Sequence, residues 1–192
     1  MKEVKNILLV GVGGQGIILA SKILSQGLIS AGYDVKMSEV HGMAQRGGSV
    51  TTQVRFGKKV YSPIIGKGQA DIVVSFEKME TLRWLDHLKK NGKIVVNDYE
   101  IPSAPILVGD AKYPQNLIDI LKEKADTTVF KAAEIAKELG NIKTMNVVML
   151  GALTKAMGLT DVDWETIVRS NVKEKFVDMN INALRKGMEQ VK

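Results

Sequence analysis

Apolar residues in this chain fall into short continuous runs, each followed by a turn and then by apolar positions at helical spacing. The first run, Ile7-Leu8-Leu9-Val10, enters Gly11-Val12-Gly13-Gly14-Gln15-Gly16, and an apolar stretch of helical length begins at once. This reads as strand, glycine turn and helix, the strand covered on both faces as in a parallel sheet. The helix is placed at residues 15–31 and stopped by Gly32. A short strand follows at 35–40, then a polar, glycine-bearing loop at 41–48. In SVTTQVRF at 49–56, Gln53 and Arg55 interrupt β-branched neighbours, which predicts a strand exposed on at least one side. Residues 58–65 continue as a hairpin with Gly57 at its turn.

The same alternation resumes at 71–77, an apolar-centred strand feeding a helix at 79–88 with Leu82, Leu85 and Leu88 on one face. Asn91-Gly92 stops that helix, and a strand is placed at 93–97. Pro102 and Pro105 precede a short strand or extended segment at 106–108. A helix at 114–125 and a strand at 127–130 follow, and from Ala132 onward the pattern is helical throughout. Residues 145–156 carry no charge until Lys155 and are apolar nearly all round, the signature of a buried helix, in the domain's own core or against another subunit, with the core as the default. Val177, Ile181, Leu184 and Met188 form a one-sided stripe on the last helix. The pattern predicts an α/β protein: a Rossmann-like, mostly parallel sheet flanked by helices with a helical C-terminal segment. It is read as one domain over residues 1–192, with about 132–192 its helical part, since no repeat or linker divides it.

At 192 residues the chain is long enough to bury a substantial core. No apolar run reaches the roughly 18–20 residues of a bilayer span, and the first residues lack the apolar centre of a signal peptide, so no membrane association and a cytoplasmic location are expected. Cysteine is absent, which excludes disulfides, zinc–thiolate sites and an iron–sulfur cluster held by this chain's thiolates. The net charge of +6 comes from lysines scattered over helices and turns, without a recognition module or aromatic platform. A solvated basic surface, able to steer acidic small molecules or an acidic protein, is the reading, and nucleic acid is not.

Gly11, Gly13 and Gly16 match the spacing of the G-x-G-x-x-G dinucleotide fingerprint, and Glu39 lies about 20 residues on, where an acidic ribose contact would be sought. A tight packing turn without ligand accounts for the same glycines. The backbone at Gly14-Gln15-Gly16 is the alternative place for a phosphate, because helix N-termini leave N–H groups free. His41, in the loop beyond the second strand, is a weak candidate for proton transfer; Gln45, Arg46, Gly47 and Gly48 place a cation over backbone that a ligand or partner can approach closely. His87 is read as a surface residue. No nucleophile elbow, Walker lysine or H-E-x-x-H motif is present, so no metal ligand is assigned.

Four blocks together carry a family resemblance: GVGGQGIILASKIL at 11–24, SEVHGMAQRGGSVTTQVRFG at 38–57, YSPIIGKGQADIVVSFEKMETLR at 61–83 and NVVMLGAL at 146–153. The chain resembles the gamma-type subunit or domain of 2-oxoacid:ferredoxin oxidoreductases, and the H-G-M-A-Q-R-G-G form is similar to the arylpyruvate branch, whose small chain is the beta subunit of the indolepyruvate enzyme. The resemblance implies a non-cluster subunit within a hetero-oligomer. A large partner would bind thiamine diphosphate and the iron–sulfur clusters, decarboxylate an arylpyruvate such as indolepyruvate, pass electrons to ferredoxin and hand the acyl group to coenzyme A. The isolated chain would then be inactive and bind no cofactor itself, with a coenzyme A phosphate at Gly11, Gly13, Gly14, Gln15 and Gly16 as the expected contact. Residues 41 and 45–48 would form a loop facing the partner. Two other classes stay open from the residues alone: a free-standing NAD(P) dehydrogenase, and a non-catalytic assembly module.

Overall fold

The computed structural model describes residues 4–41 and 47–192. Its strands are β1 (Lys5–Val12), β2 (Asp34–His41), β3 (Ser49–Gly57), β4 (Ala70–Ser75), β5 (Leu88–Asn97) and β6 (Asp126–Phe130). Its helices are α1 (Ile17–Ser30), α2 (Lys78–Arg83), α3 (Ala104–Leu107), α4 (Leu117–Lys124), α5 (Ala132–Glu138), α6 (Met145–Ala156), α7 (Trp164–Asn171) and α8 (Val177–Glu189). The strands form one sheet in the order β2-β3-β1-β4-β5-β6. β1, β4, β5 and β6 pair in parallel, whereas β3 is antiparallel to both β1 and β2, so β2 runs with β1 but is separated from it.

The apolar run of β1 is continuous because each face of the sheet is covered. Ile7 and Leu9 enter a core shared with α1, α5, α6, α7 and α8; Leu8 and Val10 enter a smaller one with Ile65 and Val73 on the other face. α6 is buried as its composition requires, within the chain's own core: Val147, Val148, Met149 and Ala152 are wholly inaccessible. α8 lies against it with Val177, Ile181 and Leu184 buried and Met188 at the margin.

Several expectations are corrected. β3 is not a half-exposed strand but an interior one with strands on both sides, and its faces are covered as well: Thr51, Thr52 and Gln53 are buried, Thr52 beside Leu9 on the helix-covered face and Gln53 beneath Ile65 of the following segment. For the same reason 58–65 is no hairpin. β3 has no free edge to offer, and the segment is an irregular strap held by side chains that looked solvent-directed. Arg55 Nη1 donates to the Ser62 and Ile64 carbonyls (3.0 and 3.2 Å), and Gln53 Oε1 accepts from Ile65 N at 2.6 Å. The helix expected at 79–88 stops at Arg83; a 3₁₀ turn spans Leu85–His87, and Leu88 already begins β5, whose pairing is irregular around Asn91 at φ 63°. Residues 106–108 are not extended, since 104–107 make one helical turn with Pro105 in its first positions, where its ring is tolerated. α1 and α4 start later than expected, at Ile17 and Leu117, after Gly16 and Asn116 in the left-handed region.

Candidate functional site

The carboxyl ends of β1, β4 and β5 open on one side of the sheet, and the glycine turn sits there. The glycines of the turn divide by role. A Cβ on Gly11 would fall 2.9 Å from Phe76 Cβ and 2.7 Å from Gln15 Oε1, and one on Gly16 would lie 2.7 Å from the Asn146 amide, so both permit packing. Gly14, at φ 99°, borders open space. Gln15 folds inward and is buried: its Oε1 accepts from Val12 N and its Nε2 donates to the Phe76 carbonyl, both at 2.8 Å. Its side chain is therefore occupied in bracing the turn.

The second loop closes on the first. Gly13 N donates to the Gly48 carbonyl at 2.8 Å, and Gly47 N to the Gly13 carbonyl at 3.4 Å, extending the β1–β3 ladder past the strand ends. His41 ends β2, exposed, opposite Val50. Gln45 and Arg46 lie outside the described residues. Two cavities flank the glycine turn. One of about 440 Å³ is lined by the turn, Ile18, His41 and Val50; the other, about 540 Å³, by the turn with Leu19, Tyr99, Ile101, Lys143, Met145 and Asn146. α1 begins beside the second cavity without a side-chain cap, whereas α6 continues from a 3₁₀ turn at Ile142–Thr144 whose Ile142 carbonyl takes the Met145 N–H, and is held to the glycine turn by Asn146 Nδ2 donating to the Gly16 carbonyl at 3.1 Å. N–H groups at the start of a helix such as α1 favour an anion.

Glu39 is not placed for ribose. β3 stands between β1 and β2, moving Glu39 one strand spacing, about 4.8 Å, further from the glycine turn than in a dinucleotide-binding unit. Its carboxylate instead accepts from Ser21 Oγ of α1 at 3.2 Å.

Sequence reasoning missed the polar groups that make this end rigid. Glu77 is fully buried after β4: its Oε2 accepts from Glu80 N (2.9 Å) and its Oε1 from Ile101 N and the Tyr113 hydroxyl. Burial, and then the Glu77 carboxylate, push the Tyr113 phenol up, keeping it a donor. Asn97, also inaccessible, donates to the Phe76 carbonyl (3.1 Å) and accepts from Ala132 N (2.9 Å), so Gln15 and Asn97 meet on one carbonyl. The available signal was a polar residue ending each apolar strand, Glu77 after SF and Asn97 after IVV.

Glu80, 3% exposed, accepts from Ser49 Oγ at 2.6 Å and pairs with Arg83 at 3.0 Å, clasping the start of β3. Burial raises its pKa, against the opposing pull of Ser49 and Arg83. The folded protein thus holds that proton more tightly than the unfolded chain, and folding loses stability as pH rises from the ordinary carboxyl range through the raised value. Glu80→Gln, which still accepts from Ser49, is expected to remove this component. In urea melts at pH 4 and pH 7 the variant should gain on the wild type at the higher pH; a pH-independent difference would show that the carboxyl stays unperturbed.

Fold and site together define a Rossmann-like α/β protein whose glycine turn is zipped to a second loop, with the acidic residue of β2 one strand removed from the turn. Residues 6–190 match the family model described as pyruvate ferredoxin/flavodoxin oxidoreductase. The chain is similar to indolepyruvate oxidoreductase subunit IorB of Thermococcus kodakarensis, 40% identical over all of this chain and 98% of that one. It is likewise similar to IorB of Pyrococcus horikoshii, at 41% with the same coverage. It superposes on the gamma subunit of a keto/oxoacid ferredoxin oxidoreductase from Geobacter sulfurreducens with a TM-score of 0.71, at 27% identity and 97% of each chain. The chain belongs to the pyruvate ferredoxin/flavodoxin oxidoreductase family and is an oxidoreductase subunit of the 2-oxoacid:ferredoxin class.

Proposed function

We propose that this chain is the non-cluster subunit of an arylpyruvate oxidoreductase of the indolepyruvate type, acting as one gamma-type domain over its whole length. Full-length identity of about 40% to two IorB subunits supports the substrate class. One structural observation supports the role: the glycine turn and the second loop, apart in sequence, are hydrogen-bonded side by side at the open end of the sheet. In this reading a larger partner holds thiamine diphosphate and the iron–sulfur clusters, for which a chain without cysteine has no thiolates. That partner decarboxylates the arylpyruvate, transfers the acyl group to coenzyme A and passes electrons to ferredoxin. This chain's share is to receive a phosphate of coenzyme A at the turn, on the N–H groups of Gly14 and Gly16 beside Lys143, and to present His41 and residues 45–48 to the partner. His41 orients or shields there; no proton transfer is assigned to it. Cytoplasmic location belongs to the same reading, and among the described residues no helix is long and apolar enough to cross a membrane.

Purifying the native complex tests this directly. A large, cysteine-rich chain should accompany this one and carry all of the iron absorbance. Within the complex, Gly13→Val should raise the KM for coenzyme A about tenfold, equivalent to ~1.4 kcal/mol of lost binding, without dissociating the subunits. Iron in the isolated chain, or an unchanged KM, would overturn the corresponding half.

A further inference from the structure

β2 is the sheet's outer strand, and among the described residues nothing pairs with its free edge over Asp34–His41. An uncovered edge of this length is a template for another strand unless charge, proline or a bulge blocks it. Here Met37, on the face that α1 covers, is exposed by 39%, Val40 on the opposite face by 57%, and α1 exposes Ile18 and Ile29 by 49% and 59%. On a helix, Ile18, Lys22, Ser25 and Ile29 share one stripe, and Ser25 touches Met37, so the stripe leans toward the β2 edge.

We infer that this edge and stripe pair with a second copy of the chain about a two-fold axis normal to the sheet. The two elements are self-complementary about the same level. Ser21 Oγ meets Glu39 Oε1 at 3.2 Å and Ser25 Oγ meets Met37 Sδ at 3.6 Å, so α1 runs opposite to β2 and residue 23 stands level with Ser38. The midpoint of Ile18 and Ile29 lies within about 1 Å of that level at the rise of a helix. One axis there sets Ile18 of each α1 against Ile29 of the other. It also joins the β2 strands antiparallel.

A two-fold normal to the sheet keeps every side chain on its own face, so residues of like parity oppose: Ser38 faces Ser38, and Met37 faces Glu39. The charges agree. Among the described residues neither Lys22 nor Glu39 has an ion-pair partner within the chain. In the pair, Lys22 of one copy stands about 5 Å along the strand from Glu39 of the other, within reach of a lysine stem. The surface adjoins the partner-facing loop at His41 and the cavity beside the glycine turn at Ile18, and it is read in the chain alone, without the proposed function.

Sedimentation equilibrium of the full chain over micromolar concentrations tests the pairing, with far-UV circular dichroism confirming that each variant is folded. The wild type should sediment at twice the chain mass. Ile29→Lys and Lys22→Glu should each raise the dissociation constant at least tenfold, and adding Glu39→Lys to Lys22→Glu should recover most of that loss. A wild type that stays monomeric overturns the inference. So does an Ile29→Lys dimer as tight as the wild type, or a double variant no tighter than Lys22→Glu alone.

Discussion

Gly187→Ala is expected to cost this protein about 3 kcal/mol of stability, although alanine is the better helix former by ~1 kcal/mol. A Cβ at Gly187 of α8 would lie 1.9 Å from the Val148 carbonyl oxygen of α6, and one at Gly151 of α6 would lie 2.0 Å from the Leu184 carbonyl oxygen. Overpacking against side chains costs roughly 1–3 kcal/mol because rotamers adjust. Here the opposing atoms are backbone on both sides of the crossing, so relief requires the helices to separate and to loosen a core that includes Val147, Met149 and Leu150. The upper end of that range, or beyond, outweighs the propensity gain. At roughly 2–4 °C per kcal/mol for a chain of this size, the melting temperature should fall by about 6–12 °C. Gly151→Ala should behave alike, and the double change should cost less than the sum, since one separation relieves both clashes. A variant melting at or above the wild type would show that α6 and α8 do not cross this closely.

The second large effect is expected from Arg46→Ala in the assembled enzyme. Arg46 itself lies outside the described residues, but both ends of its loop are fixed: His41 closes β2, while Gly47 and Gly48 bond Gly13 and Ser49 bonds Glu80. The flanking anchors lie at the open end of the sheet, and a planar guanidinium is suited to engage a partner's carboxylates or carbonyls. Loss of a buried interface arginine costs ~2 kcal/mol or more, about a thirtyfold weaker assembly. Binding of the variant to the partner chain and melting of the lone chain separate the two readings. Weaker assembly with an unchanged melting temperature supports the interface; a lowered melting temperature with normal assembly means that Arg46 only braces its own loop.

The glycine turn shows how far the residues led. Gly11, Gly13 and Gly16 announced strand, turn and helix because these are local requirements: an apolar run, backbone freedom, then helical spacing. The acidic partner that the spacing pairs with them is not beside the turn, because spacing is blind to which strand lies beside β1. Insertion of β3 carries Glu39 away from the turn, and β3 itself reads as half-exposed only when its neighbours are unknown. Gln15 has the look of a ligand contact in the motif and is a buried brace in the fold.

By itself the sequence determined the parts whose physics is short-range. These are the doubly covered β1, the all-round apolar α6, the one-sided α8, the absence of thiolates, and the blocks that resemble the oxidoreductase family. Tertiary structure alone decided the strand order, the burial of Gln53 and Glu77, the meeting of Gln15 and Asn97 on one carbonyl, and the pairing of Gly13 with Gly48. Each of these joins residues distant in the chain, and a polar side chain is stable in the interior only where folding delivers its hydrogen-bond partner. Composition records that the polar residue exists; only the fold supplies the partner.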